Sequence, residues 1–371
     1  MKRGWKHHLF QAVGDGQITP VAWDIPITGA TVTRDLSGPS VFGGSLQPEI
    51  PRLMRDGETL IANWKSVIVS ERDGVIQGVS IVRDSPVDEQ VMTIDGIGFA
   101  GYPTGLPFVD EFKGIRVDPI DMVRKIWDHL QSRPQGDLGV AVDDTTSSAT
   151  IGTEERDVSF ETSEGESVEF EAGPYVLAWW KTDDCGKEID DLAEYTPFDY
   201  RMEHAWADDR NSFTSFLRIG TPKIGVRRKA RFVVGVNVIS HPNIDRAGED
   251  YANEVLCLGS GESSKMRKGT ATRVTDRLRR AVVIADKSKR SNSAAEKLAA
   301  SELKYRMGDP DITEITVIDH GLARFGTWEL GDEVLVTIPA GWLGRQDMWC
   351  RIVTERWDCD KDQMSLTLQK V

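Results

Sequence analysis

The chain has 371 residues, 39% hydrophobic and 28% charged, with a formal net charge of -14. That composition belongs to a soluble globular protein of roughly two to four modules and excludes a disordered or membrane-embedded chain. The acidic balance also argues against wrapping nucleic acid by phosphate neutralisation, which needs a basic face.

The opening MKRGWKHHLF has the basic start of a signal peptide. It lacks an apolar h-region, and the polar, Gly-rich stretch from Gln11 to Gly16 argues against secretion by that route. The strongest apolar runs, Arg231 to Ser240 and Ala281 to Ala285, are too short to span a bilayer, so no membrane-spanning segment is expected. Cys185, Cys257, Cys350 and Cys359 show no CxxC pairing and no His at metal spacing. They read as reduced residues of a chain folded in a cytosol.

The first hundred residues alternate strands and turns. Gly29 to Leu36 and Val41 to Leu46 flank Ser37 to Ser40, and Gln90 to Ile97 adds a strand after Asp84-Ser85-Pro86. Trp64 to Ser70 and Val75 to Arg83 flank Arg72-Asp73-Gly74, the strongest short-range hairpin signal. A Gly- and Pro-rich boundary from Phe99 to Phe112 leads to Asp118-Pro119, which predicts a helix carrying Ile120, Val123, Ile126, Trp127 and Leu130 on one face and stopping at Pro134.

An acidic stretch follows from Asp137 to Glu171, with Arg156 its only cation. It contains short strands, Ser159 to Thr162 and Ser167 to Glu171, joined by Ser163 to Glu166. A short helix over Lys187 to Tyr195 and a hairpin of Asp199 to Trp206 with Ser215 to Ile219 come next. Strands are then predicted over Ala230 to Ser240, Asn253 to Leu258 and Arg277 to Asp286. The capping box Ser293 to Glu296 opens a helix over about 293–307, with Gly308 as its C′ residue. From Asp311 to Val371 the chain is dense with alternating strands, broken at Asp319 to Gly321, at Gly331-Asp332 and at Asp358 to Asp362.

None of the candidate chemistry completes its pattern. Gly259 to Lys265 follows a strand as a phosphate loop would, but Ser264 and Met266 replace the required Gly and hydroxyl, and Glu262 would put a carboxylate in the nest. Asp358 to Asp362 begins like a calcium loop, yet Gln363 and Gln369 occupy the Gly and Glu positions, so a hairpin turn is expected. His7, His8, His129, His204, His241 and His320 form no metal spacing and read as surface or interface residues; His7 and His8 would point to opposite faces of a strand. No G-x-S-x-G elbow is present. Asp183-Asp184, Asp190-Asp191 and Asp208-Asp209 are adjacent carboxylates that adjacency alone cannot make into a glycosidase pair. Eleven Trp, including Trp179-Trp180, Trp342, Trp349 and Trp357, suit core or interface better than sugar stacking. No catalytic, cofactor-binding or metal-ligating residue is therefore assigned.

Several strings, in order, resemble the tail-hub (minor tail) proteins of long-tailed bacteriophages, especially those infecting actinobacteria, and more remotely the baseplate hub of contractile tails. They are Trp23 to Gly29 with Leu36 to Pro39, Ala172 to Tyr175, and Gly186 to Asp190 with Thr196 to Tyr200. Leu258 to Glu262, Asp286 to Ser288 and Gly331 to Val334 complete the series. The resemblance implies a non-enzymatic structural hub at the virion tail tip, folded in the host cytoplasm. It implies a mainly β chain in which residues 1–111 and 221–371 are tail-tube-like β-barrel modules flanking a mixed α+β insertion, 112–220. Three copies would close a ring around the exit channel, touching the distal tail protein, the tape measure protein and other minor tail proteins, with DNA only as transiting cargo. With no extension after Val371, appended hydrolase or receptor-binding domains are not expected. The alternative reading is a tail protein that binds or hydrolyses cell-wall glycan.

Overall fold

The computed structural model describes residues 4–47, 53–56, 58–154, 156–161, 167–181, 184–240, 242, 244–245, 251–261, 263–287, 289, 292–307, 311–340 and 344–371. The expected turn at Ser163 to Glu166 lies outside these residues, as do Trp342, His241, Asp183, Glu262, Ser288 and Gly308. The chain is mainly β and forms two compact units. One comprises residues 1–154, 173–241 and 314–371; the other comprises 155–172 and 242–313.

The first hundred residues give β1 (Trp5–Ala12), β2 (Ile18–Ala22), β3 (Thr28–Asp35), β4 (Val41–Leu46), the two-residue strands β5 (Met54–Arg55) and β6 (Glu58–Thr59), β7 (Ser66–Arg72), β8 (Val75–Asp84), β9 (Val87–Asp88) and β10 (Val91–Gly98). Asp73 and Gly74 connect β7 to β8 with φ of 53° and 84°. Two consecutive positive φ values match the right-handed twist of a tight hairpin, and Gly reaches them without a Cβ clash.

β11 (Glu111–Gly114) precedes α1 (Pro119–Gln131), whose N-cap Asp118 accepts a hydrogen bond from the Ile120 amide at 2.9 Å. The predicted face of α1, Ile120 to Leu130, is buried. β12 (Val140–Val142), the hairpin β13 (Arg156–Glu161) and β14 (Ser167–Ala172), β15 (Tyr175–Ala178), α2 (Cys185–Tyr195), β16 (Asp199–Trp206) and β17 (Phe213–Gly220) follow. α2 starts at Cys185, two residues before the expected Lys187, because the Asp184 side chain caps it by accepting from the Gly186 and Lys187 amides.

Next come β18 (Arg227–Val233), β19 (Ile244–Asp245), β20 (Glu254–Leu258), β21 (Lys268–Thr272), β22 (Ala281–Ala285), α3 (Asn292–Arg306), β23 (Asp311–Ile312), β24 (Glu314–Val317), β25 (Glu333–Ile338), β26 (Gln346–Asp358) and β27 (Gln363–Lys370). β18 stops at Val233, short of the expected Ser240. There the Asn237 side chain takes the Val233 amide at 2.7 Å and donates to the Arg231 carbonyl, closing a turn in place of a ladder. β22 likewise begins only at Ala281, because the Asn253 side chain holds residues 278–280 in a loop. α3 begins at Asn292, which puts Ser293 inside the first turn and not at the N-cap.

In the first unit one 13-stranded sheet runs β18-β25-β26-β3-β4-β10-β8-β7-β1-β2, with β24, β27 and β9 pairing off that path. Strands from both ends of the chain thus share one sheet. β26 makes the join, with residues 346–351 pairing β25 and residues 354–358 pairing β3 along the same edge, while β27 takes the other edge. One apolar core continues from Phe10, Val67, Val69 and Ile81 of the sheet into Ile126 and Trp127 of α1, Ile189 and Leu192 of α2, and Leu217 and Ile219 of β17.

In the second unit β20 lies between antiparallel β21 and parallel β22, and α3 covers one face. The core is small: Val255, Cys257, Ala295, Ala299 and Leu303. A Cβ on Gly269 would lie 2.1 Å from the Ala295 carbonyl carbon, so only glycine lets helix backbone rest on strand backbone here.

Candidate functional site

The place where the chain's two ends meet gathers charged and aromatic side chains. Trp357 on β26 stands opposite Val32 on β3 and packs edge-on against Trp5 and Phe325, with centroids at 5.2 and 4.7 Å. The Arg72 guanidinium lies 5.1 Å from the Trp357 ring centroid and 5.2 Å from that of Phe325. It also donates twice to Asp362, at 2.7 and 2.8 Å. Asp360 accepts from the Gly29 amide at 2.9 Å. The acidic turn from Asp358 to Asp362 is thus a hairpin turn, as expected. Two of its carboxylates tie the end of the chain to its beginning.

Beside this cluster lies a cavity of about 330 Å³ lined by Arg34, Arg72, Phe325, Trp328, Glu329, Glu355 and Trp357 among others. Glu355 is 2% exposed, and burial lifts its pKa above the ordinary carboxylate value against the pull of Arg34, 3.2 Å away. Glu329 accepts from Arg201 at 2.6 Å; Arg201 also donates to Glu203 and to the Leu330 carbonyl. Further along, Arg228 pairs with Asp332, Arg227 and Lys223 with Glu333, and Arg351 with Asp199. These ion pairs join the 223–228 segment to Asp332 and to the start of β25, and β16 to β26. Two carboxylates beside aromatic rings in a cavity could serve glycan chemistry. Here, however, each carboxylate is already bound to an arginine, Glu355 to Arg34 and Glu329 to Arg201.

The other sequence candidates do not converge on this place. Around Gly259 the amides of Gly259 and Ser260 donate to the carbonyls of Arg267 and Lys289, and a single 3-10 turn, Ser263–Lys265, leads into β21. No amide cradle is left for a phosphate at those two positions. Of the histidines expected at the surface or an interface, His7, His8 and His129 are buried within the chain and so not at its surface. His7 bonds the Ser70 hydroxyl; His8 accepts from the Asp24 amide and lies 3.5 Å from Glu71, and His129 accepts from the Val109 amide and bonds the Asp110 carboxylate at 3.0 Å. Burial pushes the His7 pKa down to about 4 and also lowers those of His8 and His204. As expected, His7 and His8 point to opposite faces, one toward Phe42 and the other toward Trp23 and Trp206.

Asp184 is a helix cap and Asp190 accepts from the Tyr200 hydroxyl, while Asp209 caps a turn. Trp127, Trp328 and Trp357 are buried; Trp179 and Trp180 are 60% and 50% exposed. Among the described residues no group of three His, Cys, Asp or Glu is placed to hold a metal, and no helix is long and apolar enough to cross a membrane. Sequence reasoning missed Arg34, Arg201, Glu329 and Glu355. Only a lone charge in an alternating run, such as Glu355 between Val353 and Trp357, could have flagged one of them.

No protein-family model matches the chain, and no curated protein matches it by sequence. Solved structures do. The 43 kDa tail protein of prophage MuSo2 from Shewanella oneidensis superposes with a TM-score of 0.59 at 13% identity, covering 99% of this chain and 98% of that one. The tail protein from Neisseria meningitidis MC58 gives 0.58 at 14% identity, covering 99% and 97%. The prophage tail protein gp18 from Listeria monocytogenes EGD-e gives 0.54 at 11%, covering 98% and 95%. The chain has the fold of these phage tail proteins over nearly its whole length.

Proposed function

We propose that this protein is a structural hub of a phage tail tip, a homotrimer whose ring closes the tail tube and surrounds the channel for DNA ejection. The observation that carries the reading is the β26–β3 join. It pairs β3 with β26, so that β1–β4 and β7–β10 share one sheet with β18 and β24–β27 inside one chain. A chain that places two β-modules side by side, with residues 112–220 between them in sequence, supplies two ring positions at once, so three copies would supply six. Closing such a ring removes the free edges at β2 and β18 and uses one repeated heterologous contact. The tail-protein fold supports a non-enzymatic role. On this reading the partners are the distal tail protein, the tape measure protein and other minor tail proteins. An acidic chain would let DNA pass without sticking.

The test is an averaged electron-microscopy map of tails carrying a Fab against this protein. The expected result is threefold density at the tip. Density along the tube or on lateral fibres would sink the reading. A second reading, glycan hydrolysis, rests on Glu329 and Glu355 at the aromatic cavity. Peptidoglycan turnover by the purified protein, abolished by Glu355→Gln, would establish it in place of the first.

A further inference from the structure

The loop between β21 and β22 combines order with exposure. Asn253 accepts from the Arg280 amide at 2.8 Å through its side chain and donates to the Leu278 carbonyl at 3.2 Å. Its backbone carbonyl takes the Arg273 amide, and the Tyr251 hydroxyl meets the Thr275 hydroxyl at 2.9 Å. Arg277 stacks over the Tyr251 ring, and Arg279 grips Glu254 with two hydrogen bonds. The loop pinned in this way presents Val274 at 94% exposure and Leu278 at 88%, the two most exposed large apolar side chains among the described residues. Holding two aliphatic side chains in water on an ordered loop wastes burial that a partner would recover.

Charge indicates what that partner is. Residues 265–306 carry 13 Lys and Arg against 4 Asp and Glu, whereas the whole chain carries 45 against 59. The loop therefore complements the rest of its own chain. A matching patch exists in the first unit. Trp179 and Trp180 stand edge to face at 5.4 Å, beside exposed Val109, Asp110 and Glu111, and the Trp179 amide is fixed to the Asp110 carbonyl. Exposed indoles beside the Glu111 carboxylate, with Asp110 already paired to Arg133, suit arginines flanking two aliphatic side chains, through apolar burial and cation–π contact.

We infer that the 273–280 loop of one copy docks on the Trp179–Trp180 patch of a second copy. The contact joins different surfaces of the two copies, the heterologous kind of interface from which rings are built. It rests on the ring reading above for its second copy.

The test mixes two full-length preparations, one with Leu278→Cys and the other with Lys181→Cys, under mild oxidation. All four native cysteines are buried. The mixed disulfide should form at least about tenfold faster than either homodimer, and Val274→Ser in the first chain should remove that preference. Sedimentation should show self-association weakened at least about tenfold by Val274→Ser with Leu278→Ser, at an unchanged melting temperature. A mixed disulfide no faster than the homodimers overturns the inference. So does a loss of the preference when duplex DNA is added, which would assign the loop to nucleic acid. The mixture needs no virion, so a negative result leaves the tail-tip location standing. A wrong location leaves the disulfide result readable.

Discussion

The first unit gives its large side chains to a shared interior, while the second keeps a small core and spends apolar side chains on its surface. Trp127, Trp357, Phe10, Phe99 and Phe232 are fully buried in the first unit, and its sheet is joined by strands more than 300 residues apart. Among the described residues, the core cluster of the second unit has five buried members against α3, and Val274, Leu278 and Tyr305 face solvent. Composition makes the difference measurable, because all eleven Trp and all six His fall outside residues 155–172 and 242–313. Tryptophan fluorescence reports the first unit alone.

The strongest way to break this comparison is Trp357→Ala. Trp357 is buried at the join, between Trp5, Phe325 and Arg72, so truncation empties a cavity that β26 and β3 cannot both collapse into. The expected loss is about 3–5 kcal/mol in the urea transition followed by tryptophan fluorescence. The reverse experiment is Leu303→Ala, which removes the largest buried side chain under α3. It should cost about 2–3 kcal/mol in the transition followed by helix circular dichroism and leave the fluorescence transition in place. Loss of both transitions together in either variant would show that the units do not fold independently.

Acid should separate the units next. His7, His8 and His204 have folded pKa values lowered by burial, His7 to about 4, while their unfolded values lie near 6.5. Between those values the unfolded chain binds more protons than the folded one, so stability falls as pH falls. The contribution is complete above pH 6.5 and is lost progressively toward pH 4. For His7 alone the loss is of order 3 kcal/mol across that window. The fluorescence midpoint should therefore drop between pH 7 and pH 5, and His7→Asn should flatten the slope. An unchanged slope in that variant would remove His7 from the account.

How much of this was legible depended on the range of the interaction. The Asp73-Gly74 hairpin and the α1 cap with its buried stripe follow from neighbouring residues, so they could be read directly. The acidic turn at Asp358 could be read as a hairpin, but not its use, because Arg72 and Gly29 reach it from the far end of the chain. β18 looked longer than it is because its apolar pattern continues past Val233, while the side chain that ends it, Asn237, acts back along the chain. The buried histidines misled for a related reason. A neutral imidazole in a core needs one or two partners, and those partners were 11 to 63 residues away or more.

The smallest effect is also the most telling about the second unit. Leu278→Ser alters a side chain 88% exposed, whose backbone is held by Asn253 and not by its own packing. If the residue serves only the fold, serine should be tolerated within about 0.5 kcal/mol, as surface changes usually are. If it serves a contact between copies, the same substitution should leave both melting transitions of the dilute protein in place and lower only the concentration dependence of the assembled form. The measurement is a pair of melts, at low and at high protein concentration. A shift already present in the dilute sample would move Leu278 into the core account and erase the contrast between the two units. A shift confined to the concentrated sample keeps the contrast and places recognition on the loop.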